Sequence, residues 1–172
     1  MLGPFGYSLR HLLANYFGGI NNEIFWIASA NQCEVPMTTS HRIVNPESLP
    51  KPIGFSHAIV AAPGRTVYLG GQAALEADGF TVMPGGLAEQ FDRSLYFIVQ
   101  ALEAAGGKPE DLVAMQVFVT DVADYRANRR NIGKIWQERI GHHYPAMTLL
   151  QVTGLLYPEL LVELLATAVI PE

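Results

Sequence analysis

The 172-residue sequence predicts an α+β fold, a two-layer sandwich with two helices laid over one face of a sheet. Three observations carry this expectation. Short β-rich runs are bounded by turn residues, two apolar stripes repeat at helical spacing, and their order along the chain is ββ–α–β–α–ββ.

A short strand is expected near Arg42 to Val44. His57 to Ala62 and Thr66 to Gln72 read as strands joined by Pro63-Gly64, a hairpin signal. Leu87, Phe91, Leu95, Ile98 and Leu102 then recur at helical spacing until Gly106-Gly107 and Pro109 stop the helix. Val113 to Val122 is the third strong strand, with Met115, Val117 and Val119 on one face. Asp124 is the expected cap of a second helix, whose stripe Tyr125, Ile132, Trp136 and Ile140 ends at Gly141. Strands at about Met147 to Val152 and Leu161 to Ile170 close the chain. Two helices cover only one face of such a sheet. The other face, around Val67 and Leu69 or their neighbours, needs a partner, so an oligomer is expected.

Composition narrows the function classes. Apolar residues make up 49% and charged residues 16%, a globular balance, and the net charge of −5 repels nucleic acid and anionic membrane. Cys33 is the only cysteine, which excludes an intrachain disulfide framework and a multi-cysteine zinc site and fits a cytoplasmic setting. No apolar run is long enough for a bilayer, and Glu163 interrupts the late run Leu160 to Ile170. Residues 1–36 read as an N-terminal extension of unassigned role, with a helix from Ser8 to Gly18-Gly19, and residues 37–172 as the domain. Asn21, Asn22 and Glu23 argue against a signal peptide there.

Several stretches resemble the RidA/YjgF reactive-intermediate deaminases. They are Ile53-Gly54-Phe55-Ser56-His57-Ala58, Val67-Tyr68-Leu69-Gly70-Gly71-Gln72, Val117-Phe118-Val119-Thr120-Asp121, Tyr144-Pro145-Ala146-Met147-Thr148 and Leu161-Val162-Glu163. The resemblance covers roughly residues 41–170. It implies a chorismate-mutase-like sandwich with one mostly antiparallel sheet and two helices on one face. It also implies a homotrimer with small-molecule clefts between subunits.

The resemblance further implies hydrolysis of enamines and imines to a keto acid and ammonia, with Glu163 positioning water. Ligand contacts fall on Phe55, Gly70, Gly71, Arg129, Met147 and Leu149. Three of these depart from the family pattern. Met147 stands where the family has its carboxylate-binding arginine, and a thioether offers none of a guanidinium's charge-assisted hydrogen bonds. Phe55 replaces a tyrosine, and Arg129 replaces an asparagine. Arg129 is the expected substitute cation, brought in from a neighbouring subunit, while Gly71 lets a ligand approach the backbone.

Against each reading stands a plainer one. Glu163 also suits a structural ion pair, and Arg126, Arg129, Arg130, Lys134 and Arg139 suit a solvated helix face. His142-His143 lacks clustered carboxylates or cysteines, so neither a metal nor a cofactor is expected. Gly85-Gly86 and Gly106-Gly107 are helix boundaries rather than phosphate loops. Three functions follow in order: an imine or enamine hydrolase with altered substrate, a small-molecule-binding protein without chemistry, and an endoribonuclease resting only on the basic second helix.

Overall fold

The structure, a computed structural model, describes residues 39–172. The extension expected over residues 1–36, with Cys33, lies outside them.

Helix α1 (Leu87–Ala104) buries Leu87, Phe91, Leu95, Ile98 and Leu102, the stripe that the spacing predicts. It ends where Gly106 takes φ +87°, and the Gly106 and Gly107 amides donate to the carbonyls of Glu103 and Leu102 at 2.9 and 3.0 Å. Helix α2 (Val122–Arg139) is capped three residues earlier than expected. Asp121, with extended backbone, is the cap, and its carboxylate accepts from the Ala123 and Asp124 amides at 2.7 and 3.2 Å. Asp124 lies inside the first turn and binds the Asn128 side chain at 2.9 Å.

Four strands form one mixed sheet: β3 (Gly64–Ala73), β4 (Leu112–Val119), β5 (Ala146–Gln151) and β6 (Val162–Pro171), in the order β3-β6-β4-β5. Strand β6 runs antiparallel to β3 and β4, while β5 runs parallel to β4 because α2 carries the chain back across the sheet. Among the described residues, strands β1 (Arg42–Val44) and β2 (Ala58–Val60) pair only with each other. Two expectations are therefore corrected. The described strands form two sheets rather than one, a four-stranded sheet in which two of the three pairings are antiparallel, as expected, and a two-stranded ribbon, and Pro63-Gly64 makes no hairpin. Gly64 already belongs to β3 opposite Pro171, where any β-carbon would collide with the Ile170 carbonyl.

Alternation divides the sheet into two faces. Leu69, Val117, Val119, Val162, Leu164 and Ala166 point into the core beneath the helices. The outer face carries Tyr68, 83% exposed, with Leu150 and Leu165 also exposed. Leu69 is thus a core residue, and its neighbour Tyr68 faces outward. Between Leu69 and Gln72 the register slips by one residue, so Gly70 and Gly71 form a β-bulge opposite Leu165.

The turn after α2 is tied to the sheet through His143. Its backbone carbonyl accepts from Trp136 Nε1 at 3.0 Å, and its buried ring contacts the Leu112 carbonyl through Nε2 at 2.7 Å. Burial is the main cause that holds the His143 pKa below its ordinary value.

Two predictions follow from these anchors. Asp121→Ala is expected to cost about 1 kcal/mol in urea unfolding, and Asp124→Ala only a few tenths; the reverse order would move the cap. Because folded His143 resists protonation, the unfolded chain binds more protons just below pH 6.5, its ordinary pKa. Stability should therefore be full above that pH and fall on acidification below it, and His143→Gln should flatten this slope in urea midpoints measured between pH 7.5 and 5.5.

Candidate functional site

Strand β5 is an edge of the sheet, and a cavity of about 540 Å³ lies between that edge and α2. Its lip is Ile53-Gly54-Phe55. This segment is held to β5 by Ser56, whose amide donates to the Pro145 carbonyl at 3.0 Å and whose hydroxyl donates to the Tyr144 carbonyl at 2.7 Å. Gly54 makes the turn with φ +76°, a conformation that side chains resist. The Phe55 ring meets His57 edge-on at 5.3 Å, and the His57 ring is in turn fixed on the Pro50 carbonyl at 2.8 Å.

Helix α2 forms one wall. Tyr125, Arg129 and Gly133 succeed one another at four-residue spacing and so share a face, with Ile132 and Trp136 beside them. Trp136 stacks on Tyr144 with centroids 5.7 Å apart and planes 8° from parallel. The Gln137 amide donates to the Tyr144 hydroxyl at 2.6 Å and holds that ring in place. Val117, Met147 and Leu149 supply the sheet side.

The cavity is mainly apolar, with few polar groups free to act. Arg129 is exposed and makes no ion pair with any described residue. The Tyr125 hydroxyl has no hydrogen bond to a described residue, and burial raises its pKa, so it is a neutral donor at pH 7. Gly133 sits in the helix interior, has no positive φ, and a β-carbon there would meet nothing within 4 Å. Glycine costs a helix about 1 kcal/mol relative to alanine, and neither the backbone nor the packing demands it here.

Of the residues expected at the site, Phe55, Arg129, Met147 and Leu149 line this one cavity. Arg129 was expected from a neighbouring subunit, but it stands on the same chain as Met147, because α2 and β5 are the two sides of one crossover. Glu163, Gly70 and Gly71 do not line it. Glu163 alternates with core residues Val162 and Leu164 and so lies on the outer face, where its carboxylate packs over Gly71. Glycine at 71 makes room for that carboxylate.

Tyr125, Gly133, Trp136 and Tyr144 are among the cavity residues that sequence reasoning missed. Tyr125 and Trp136 read as core, and only a helix-interior glycine without a packing reason could have flagged Gly133. Of the basic run, Arg139 is committed to Asp92, through Nε at 2.7 Å and a second nitrogen at 3.0 Å. Among the described residues no group of three His, Cys, Asp or Glu could hold a metal ion.

The family profile described as "Endoribonuclease L-PSP" matches residues 47–170. The chain is 27% identical to the RutC family protein UK114 of Drosophila melanogaster over 119 residues, covering 69% of this chain and 82% of that protein. It is 28% identical to the 2-iminobutanoate/2-iminopropanoate deaminase of Capra hircus, covering 66% and 80%. Among solved structures it is similar to the conserved Rid family protein YyfB of Yersinia pestis, a protein of unknown function. That match has a TM-score of 0.68 and 34% identity, covering 76% of this chain and 98% of that one.

The two close-packed glycines of β3 separate in a stability measurement. Gly64→Ala meets the Ile170 backbone and should lose about 1–3 kcal/mol in urea unfolding. Gly71→Ala meets only the movable end of Glu163, so the fold should hold while the carboxylate shifts. Equal losses would contradict the assignment.

Proposed function

The chain belongs to the endoribonuclease L-PSP family, the RidA/YjgF proteins, and from that premise we propose that it is a homotrimeric hydrolase of amino-acid-derived imines or enamines. The observation that carries this reading is the single cavity joining Phe55, Arg129, Met147 and Leu149. The exposed Tyr68, Leu150 and Leu165 on the outer face support assembly, since burying them needs another copy.

In this reading the Gly71–Glu163 corner of one copy completes the cavity of the next. Arg129 binds the substrate carboxylate in place of the guanidinium absent at Met147, with the arginine reaching it from α2 rather than from β5. Glu163 accepts a proton from water as the water oxygen bonds to the imine carbon. The C=N π pair moves to nitrogen, which takes up one proton from solvent to give the carbinolamine and a second, returned by Glu163, before the C–N bond breaks and ammonia leaves. Loss of the hydroxyl proton then gives the keto acid. The Leu149 backbone, with that of Gly71 from the next copy, orients the substrate in this reading.

Binding without chemistry is the second reading. Met147 and the distance of Glu163 from its own chain's cavity favour it. Cleavage of RNA rests only on exposed Arg126, Arg130 and Lys134, with His41 and His143 both buried.

The test is 2-iminopropanoate hydrolysis, followed as pyruvate and ammonia. The wild type should turn over, Glu163→Ala should lower kcat by about 10²-fold or more, and Arg129→Ala should raise KM about tenfold. A wild type without turnover on this or other amino-acid imines, yet binding their keto acids, would select the second reading.

A further inference from the structure

We propose that the cavity selects carboxylates bearing an aromatic side chain, with Gly133 as the residue that sets the permitted size and Tyr125 as a second contact to the carboxylate. This rests on the reading of the cavity as the substrate site, and goes beyond it in naming what the site prefers.

A site of about 540 Å³ falls in the range of roughly 300–1,000 Å³ that encloses ligands much larger than a three-carbon acid. Its interior offers Phe91, Ile132 and Trp136, all buried, and the flat Trp136–Tyr144 stack, which is held rigid at both rings. A rigid aromatic wall rewards a planar ligand group, since little side-chain freedom is lost when the ligand stacks.

Tyr125, Arg129 and Gly133 lie one turn apart on the cavity side. A carboxylate held by the Arg129 guanidinium is within one turn of the Tyr125 hydroxyl, a neutral donor without a described partner. One turn in the opposite direction Gly133 leaves open space where any other side chain would project. The helix carries an unfavourable residue at the one position of this row where a side chain would narrow the cavity. Polar contacts at 125 and 129, open volume at 133 and aromatic rings at 136 and 144 together describe an anion with a bulky, flat tail.

Isothermal titration of the full chain with two unreactive acids, 3-phenylpropanoate and propanoate, tests the preference directly. The wild type should bind 3-phenylpropanoate at least about tenfold more tightly, and Gly133→Leu should reduce the ratio of the two affinities at least about tenfold. Gly133→Ala, which a helix favours, covers the case in which Gly133→Leu does not fold, and should reduce the ratio by about threefold with an unchanged circular dichroism spectrum. Tyr125→Phe should weaken both acids alike, by roughly threefold to tenfold. Equal affinities in the wild type, or a ratio untouched by both Gly133 variants, would overturn the proposal. Turnover separates the two readings. Hydrolysis of 2-iminopropanoate without any aromatic preference sinks the size proposal and leaves the hydrolase standing. Tight, Gly133-dependent binding of 3-phenylpropanoate without turnover of the alanine or phenylalanine imine does the reverse.

Discussion

The two-sided alternation of β6 is the constraint on which the molecule depends. The strand lies between β3 and β4, so both of its edges are paired, and each residue must commit to one face. Val162, Leu164, Ala166 and Ala168 meet the helices, while Glu163 and Leu165 face outward. A slip of one residue would put the Glu163 carboxylate under α1 and bring four core side chains into water. The bulge at Gly70-Gly71 shows how tightly this register is kept: β3 yields a residue, and β6 does not.

The cavity is a consequence of the opposite end of the sheet. Among the described residues, strand β5 has β4 on one side and only Ser56 on the other, joined at Ala146. Helix α2 leads into β5 by the turn that His143 and Trp136 fasten to β4. Both walls of the cavity are therefore consecutive in the chain and mechanically tied. The lip is the exception, since Ile53 to Phe55 comes from far earlier in sequence and reaches the edge through Ser56.

Part of the cavity lining was legible in the sequence, and less of how those residues meet. Phe55, Arg129, Met147 and Leu149 were found from motif positions and do share a cavity. The side from which Arg129 enters was misjudged, because a motif gives order along the chain and no direction in space. Tyr125 and Trp136 satisfied the helical stripe and so looked like core, and both do pack against it. A helix face can serve core and cavity at once, which periodicity cannot distinguish. Asp121 lost to Asp124 as the expected cap for a similar reason: both are acidic residues before an apolar stripe, and only the extended backbone at 121 chooses between them.

What the sequence determined by itself is local: two amphipathic helices, the inward set Met115, Val117 and Val119, and the stop at Gly106, each written in spacing within a few residues. Strand partnership was decided only by the tertiary structure. Pro63-Gly64 carries a turn signal, yet β2 joins β1, and β3 joins a strand about a hundred residues later, because the close approach of Gly64 to Ile170 and the burial of both inner faces outweigh a local preference. The separation of Glu163 from the cavity was decided there too, since a single residue's face is set by the register of the strands on either side.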